Sequence, residues 1–314
     1  MSFSLATDSS ANPQEATLPN RSLPTFHVSG FALRAGIFWM LAATCLFACQ
    51  DATARVLLRT YPAIEIAFVR YLVHMVLVTG FLAWYRPQLV RSRRLGIQML
   101  RSLFLLGATL FAMFALEKMP LVDFSAIVWI APILVAALSI PFLQEKVSKA
   151  LWISLCGGLA GVWIIVGAPG ADFSSGVLFS LLAAIANACY QITTRLLHSA
   201  DSPLTTLFYT AVAGVLLCAG FLPITAMIPD ITSASMMLFL GIVGVTSHFC
   251  LIRAFSAAPA SLVAPFGYAA LPWAALFSVI VFGELPSLPA LLGSSLIVAS
   301  GLLVYRVRAK ISPV

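Results

Sequence analysis

The chain alternates between long apolar stretches and short polar breaks. Ten stretches fall near residues 36–57, 63–84, 96–117, 122–143, 149–167, 176–197, 203–222, 235–256, 260–282 and 288–306. Each is close to the roughly 20 residues a helix needs to cross a hydrocarbon core about 30 Å thick. The breaks carry turn formers or charges, as in Tyr61-Pro62, Arg91-Ser92-Arg93-Arg94, Gly167-Ala168-Pro169-Gly170 and Pro229-Asp230. The pattern predicts an all-α membrane protein of ten transmembrane helices with no interrupting soluble domain.

Composition agrees with the pattern. Apolar residues make up 61% of the 314 positions, charged residues 9%, and the mean hydropathy is +1.01. An ordinary soluble domain, about a quarter charged, is excluded. The net charge of +7 is read as a topology signal and not as a nucleic-acid surface, because its placement is lopsided. With both termini cytoplasmic, that side holds Arg21, Arg34, Arg86, Arg91, Arg93, Arg94, Arg101, Lys146, Lys149, Arg195, Arg253, Arg306, Arg308 and Lys310. The other side holds only Arg55, Arg59 and Lys118, with Arg70 inside a span. Positive charge collects on the cytoplasmic side, so both ends are expected inside a cell (inner) membrane crossed many times.

Residues 1–33 are rich in Ser, Thr, Asn and Pro without an apolar core, and read as a disordered cytoplasmic tail in place of a signal peptide. Residues 307–314 form a second tail. The six cysteines, Cys45, Cys49, Cys156, Cys189, Cys218 and Cys250, lie in apolar runs without metal-type spacing and are expected to be buried packing residues.

Sliding the chain by 140 residues lays Gly36, Leu41, Ala43, Ala48, Cys49, Thr53, Arg55 and Leu57 on Gly176, Leu181, Ala183, Ala188, Cys189, Thr193, Arg195 and Leu197. Sliding by 139 lays Pro120 on Pro259, Trp129 on Tyr268 and Glu145 on Glu284. Spans one to five thus recur as spans six to ten. Five is odd, so the second copy enters the membrane from the opposite face. Inverted repeats of this kind are the architecture of secondary transporters, with a site near mid-membrane between the halves.

The residues resemble the EamA type of the drug/metabolite transporter superfamily. The pattern runs through Ala115 to Ile127, Pro132, Gln144-Glu145, Trp152, Gly157, Gly161 and Val162, and recurs as Arg253-Ala254-Phe255, Pro259, Pro265 and Gly283-Glu284. The likeness spans about residues 36–306, dividing the chain into repeats at 34–167 and 168–306. It implies ten helices around a central cavity and export or exchange of small metabolites such as amino acids. The first half looks closest to proteins described as S-adenosylmethionine uptake transporters. One departure is Ala126 where the second half has Pro265, so a proline-induced break in span nine lacks a partner in span four.

Ionisable groups inside spans cost about 2.5–3.5 kcal/mol each on insertion scales, so each needs an explanation. Asp51 lies about 22 Å along span one, with Arg55 one turn on; the pair is either a local ion pair or a site for a substrate ammonium or a proton. Arg70 is either a strut pairing with Asp51 or Glu65 or a clamp for a carboxylate, which guanidinium matches bidentately. His74 and His248 are either packing residues or a proton relay. Trp129 and Tyr268, at equivalent repeat positions, either line two vestibules or pack on neighbouring helices. Asn187, Tyr190 and Gln191 are further cavity candidates. Pro132 and Pro272 are expected to interrupt the backbone ladder as gating bends or as static kinks. Gly157, Gly161, Gly241 and Gly244 suit close helix packing. Glu145 and Glu284 are expected to anchor helix ends.

The leading expectation is a secondary transporter for an amino acid or related compound such as S-adenosylmethionine, working by alternating access. The rival readings are a membrane-embedded enzyme and a non-transporting structural membrane protein. An enzyme is disfavoured because no H-E-x-x-H context is present, and the chain carries no Walker A motif. No catalytic residue, cofactor or metal site is expected. The partners are a small-molecule metabolite and the lipid bilayer, with room for a homodimer and none for nucleic acid.

Overall fold

A computed structural model describes residues 30–143, 149–166, 175–197, 200–225, 227–257 and 263–311. Most of the N-terminal tail, Glu145, Lys146, the 167–170 connection and Pro259 lie outside them. The described residues are helical throughout, without strands: α1 Gly30–Leu57, α2 Ala63–Tyr85, α3 Leu95–Leu116, α4 Leu121–Val128, α5 Ala131–Leu143, α6 Lys149–Val166, α7 Ser175–Leu197, α8 Pro203–Thr210, α9 Val212–Thr225, α10 Ile231–Ala257, α11 Ala270–Phe277 and α12 Leu288–Ile311. Short 3₁₀ turns cover Pro87–Val90 and Ala264–Ala269, and a π turn covers Ser278–Phe282. Helix α1 starts four residues inside the stretch read as tail, and α12 runs past residue 306.

Six helical stretches are long and apolar enough to cross a membrane: Phe31–Leu57, Ala63–Tyr85, Leu95–Leu116, Ser175–Leu197, Pro203–Leu222 and Ile231–Ala257. Shorter apolar helices occupy Leu121–Val135, Cys156–Ile165, Phe266–Phe282 and Leu288–Ser300. Phe81, Trp84, Trp163, Leu216 and Phe239 are exposed on the outer surface. With backbone polar groups paired along each helix, such a surface suits lipid.

The repeat is visible in the packing. Helix α1 lies along α10 and α3 along α7, contacts that exchange when the two halves are swapped, and α6 lies along its own counterpart α12. At the last contact a Cβ on Gly161 would sit 2.7 Å from the Gly293 carbonyl oxygen, so only glycine permits that approach. Gly157 meets Ser300 and Gly241 meets Val73 in the same manner.

Span four breaks between α4 and α5 despite Ala126, because the backbone tightens: Ile130 N–H donates to Ile127 and Ile133 N–H to Ile130. The equivalent stretch of the second half is the 3₁₀ turn Ala264–Ala269, so Trp129 and Tyr268 both sit in breaks. Both prolines lie beside these interruptions. Pro132 and Pro272 fall in the first turns of α5 and α11, where a missing N–H costs little and a new helical segment starts. The cysteines also differ from expectation: only Cys218 and Cys250 are buried, Cys156 is exposed on the apolar exterior, and all six are free.

Candidate functional site

A cavity of about 970 Å³, part of it open to the exterior, lies where the two halves meet. Its wall takes Gln50 and Asp51 from α1, Arg70 from α2, Thr109 from α3 and Trp129 from the break in span four. The second half adds Asn187, Tyr190 and Gln191 from α7, His248 from α10 and Gly267. A mostly apolar wall bearing a few convergent polar groups is the usual form of a small-molecule site.

Seven of the nine sequence-predicted binding residues line this cavity: Asp51, Arg70, Trp129, Asn187, Tyr190, Gln191 and His248. The other two are not among its lining. His74 is buried, its Nε2 3.0 Å from the Leu207 carbonyl, with its ring 6.2 Å from that of His248. Tyr268 is buried in an apolar cluster with Ala126 and Ile127, its hydroxyl without a partner among the described residues. Pro132 borders the cavity and Pro272 is not among its lining. Trp129 packs over Gly267, where a Cβ would meet the indole at 2.7 Å.

The charged groups pair differently from expectation. Arg55 does not bond Asp51. It forms a two-pronged ion pair with Glu284, at 2.6 and 3.0 Å, above the Phe282 ring at 4.4 Å. Glu65 accepts from the Met227 N–H at 2.9 Å. Arg70, 6% exposed, has no carboxylate within 4.0 Å among the described residues. Its partners are Gln50, whose amide oxygen accepts from Nη1 and Nη2 at 3.2 Å each, and His248 Nε2 at 3.4 Å. Gly244 leaves room for it, since a Cβ there would lie 3.3 Å from Arg70 Nε.

Arg101 requires the largest correction. Counted from sequence with the cytoplasmic charges, it is 0% exposed inside the bundle. Its Nε donates to Thr194 Oγ1 at 2.7 Å, and Nη1 to the Thr206 carbonyl at 3.1 Å and Thr210 Oγ1 at 3.0 Å. Nη2 donates to the Tyr190 hydroxyl at 2.8 Å, and His248 Nδ1 lies 3.2 Å from that same oxygen. A continuous polar chain thus runs Arg101, Tyr190, His248, Arg70, Gln50. Sequence reasoning missed Arg101 and Gln50. The signal for Arg101 was the set of threonines at 194, 206 and 210 on otherwise apolar helices.

Shifting by 140 residues lays Gln50-Asp51 on Tyr190-Gln191, and all four line the cavity. The repeats present equivalent positions but different chemistry there. At the α1–α2 end of the bundle lies the Arg55 and Glu284 pair. At the other end, roughly 35 Å away along the 23 residues of α2, Asp201 accepts from Ser92 Oγ at 2.5 Å, Arg93 N–H at 2.9 Å and Gln98 Nε2 at 2.9 Å. Burial alone would raise the Asp201 carboxyl, but these hydrogen bonds and the Arg93 charge outweigh it and hold the group below the ordinary aspartate value. Among the described residues no cluster of three or more His, Cys, Asp or Glu is placed to hold a metal.

The sequence matches the EamA-like transporter family twice, over residues 34–167 and 174–306. It is 24% identical over 269 residues to an S-adenosylmethionine uptake transporter of Rickettsia bellii, covering 86% of this chain and 92% of that one. It is 28% identical to a riboflavin transporter of Vibrio cholerae (84% and 91% covered) and 24% identical to a pseudopaline exporter of Pseudomonas aeruginosa (88% and 98%). A crystal structure aligns over 90% of this chain and 98% of its own with a TM-score of 0.64 at 18% identity, which speaks for the fold alone.

Proposed function

Since the chain belongs to the EamA-like transporter family, we propose that it is a secondary transporter that exchanges or exports a small organic metabolite by alternating access. The six long apolar helices and the four shorter ones serve as ten spans, in two inverted five-helix repeats with both termini cytoplasmic. The observation that carries this reading is the cavity between the halves, lined by both repeats and including Asp51 and its neutral repeat counterpart Gln191.

The cargo is an amino acid or a related compound such as S-adenosylmethionine. Arg70, with no carboxylate within 4.0 Å among the described residues and only a longer-range attraction to Asp51, supports a site that receives a carboxylate, and Asp51 supports a site for an ammonium. The named cargoes of the relatives, S-adenosylmethionine, riboflavin and pseudopaline, are all small organic molecules. Trp129, Asn187, Tyr190, Gln191 and His248 complete the wall. In this orientation the Arg55 and Glu284 pair closes the outer end and the Asp201 cluster ties the inner end. Alternating access then requires the two to open in turn, with segments hinged at the breaks beside Pro132 and Pro272.

Counterflow tests the reading. Purified protein in liposomes preloaded with unlabelled amino acids or S-adenosylmethionine is given the labelled compound outside, in parallel with Asp51→Asn. Accumulation by the wild type that Asp51→Asn abolishes is expected. No accumulation of any of these compounds by folded protein rejects this cargo class.

A further inference from the structure

Two arginines bracket a tyrosine and a histidine, and their donor-only chemistry fixes where the remaining protons point. Guanidinium has donors and no acceptor. Arg70 Nη2 sits 3.4 Å from His248 Nε2, so that nitrogen must be the acceptor and the imidazole proton resides on Nδ1. From there it donates to the Tyr190 oxygen, 3.2 Å away, which already accepts from Arg101 at 2.8 Å. Both acceptor positions of that oxygen are filled. The Tyr190 hydroxyl proton is then left without an acceptor among the described residues, on a side chain 1% exposed that lines the cavity. A buried donor without an acceptor is a cost that a ligand oxygen removes.

We propose that Tyr190 and Arg70 form a two-donor cradle for a carboxylate of the cargo, with Arg101 as the positioning residue that turns the Tyr190 proton toward the cavity. The assignment rests on reading the cavity as the cargo site. It names the group that is recognised and the side chains that recognise it. His248 is the coupler between the two arginines: it stays neutral, held as an acceptor by one guanidinium and as a donor to the oxygen the other one binds. Arg101 touches no cavity ligand itself and acts only through Tyr190.

The test pairs a protein change with a ligand change. Full-length wild type and Tyr190→Phe are purified, and L-methionine, L-phenylalanine and L-threonine are each compared with their carboxamides as protectants against thermal unfolding and as competitors in counterflow. Wild type should prefer acid to amide by about tenfold or more, and Tyr190→Phe should lower that ratio by about tenfold, weakening the amide less than the acid because a hydrogen bond to a charged carboxylate is the stronger one. Arg101→Lys should move the same ratio in the same direction, which a purely structural loss would not do because it would weaken acid and amide alike. An unchanged ratio in folded Tyr190→Phe overturns the cradle. Equal affinity for acid and amide in the wild type overturns the carboxylate class. Counterflow that persists without dependence on Tyr190 keeps the transporter and rejects the cradle. Tyr190-dependent binding without counterflow keeps the cradle and rejects the transport reading.

Discussion

Arg101 and Arg70 are both buried arginines with no carboxylate within 4.0 Å among the described residues, yet their surroundings are opposite. Arg101 has four donors met by three threonines and a tyrosine at 2.7 to 3.1 Å. Arg70 has a single amide oxygen at 3.2 Å and an imidazole at 3.4 Å, and it faces a cavity. A charge taken out of water must be compensated where it stands. The first arginine is compensated by its own protein and ties α3, α7 and α8 together. The second shares a longer-range attraction with the Asp51 carboxylate, and under the proposed function the cargo completes its compensation.

The sharpest way to break this comparison is to neutralise both. Arg101→Gln should lower stability by about 3 kcal/mol or more, since several charge-assisted hydrogen bonds are lost and their acceptors remain buried; a thermal unfolding midpoint in detergent checks it. Arg70→Gln should leave that midpoint nearly unchanged while counterflow of a carboxylate compound falls about 100-fold, the size expected when one member of a buried charge pair is removed.

Finer changes sharpen the contrast. Gly244→Ala places a methyl against Arg70 Nε, and should raise the KM several-fold without unfolding the protein. Exchanging the charges at the α1–α2 end, Arg55→Glu with Glu284→Arg, should restore most of what either single change removes. Each single change costs only about 1 kcal/mol because the pair is partly exposed, and initial exchange rates are the readout.

The smallest effect belongs to Asp201. A carboxyl held below its ordinary value contributes stability that is fully present above about pH 4, the unfolded aspartate range, and is lost as pH falls through the lower folded value. Asp201→Asn should therefore lower the midpoint slightly at pH 7 and make no difference near pH 2.

The contrast between the arginines also marks where the sequence stops being informative. Apolar length located the helices, and the repeat of Gly36 to Leu57 on Gly176 to Leu197 matches α1 and α7. Helix interruptions were harder. The break at Trp129 forms without a counterpart of Pro265, and α8 and α9 part at Ala211 in a run that reads as continuous. Such breaks arise from packing between helices, which a linear pattern does not encode.

Arg101 was misplaced for a related reason. Seven residues into a span, it satisfies a rule that sorts charge by nearness to the ends, but its compensation comes from threonines about 93 to 109 positions away. Arg70 and Asp51 were found because a charge deep in an apolar run needs explaining wherever its partner lies. Their actual neighbours, Gln50 and His248, required the fold.

The most direct test is counterflow of labelled L-methionine, L-phenylalanine, L-threonine and S-adenosylmethionine by liposomes holding Arg70→Gln, its folding verified against wild type. The account predicts that the wild type accumulates at least one of them and that the folded variant does so at about one hundredth of the rate or less. A folded Arg70→Gln that exchanges at the wild-type rate would contradict it, because the arginine left open to the cavity would then have no part in holding what passes through.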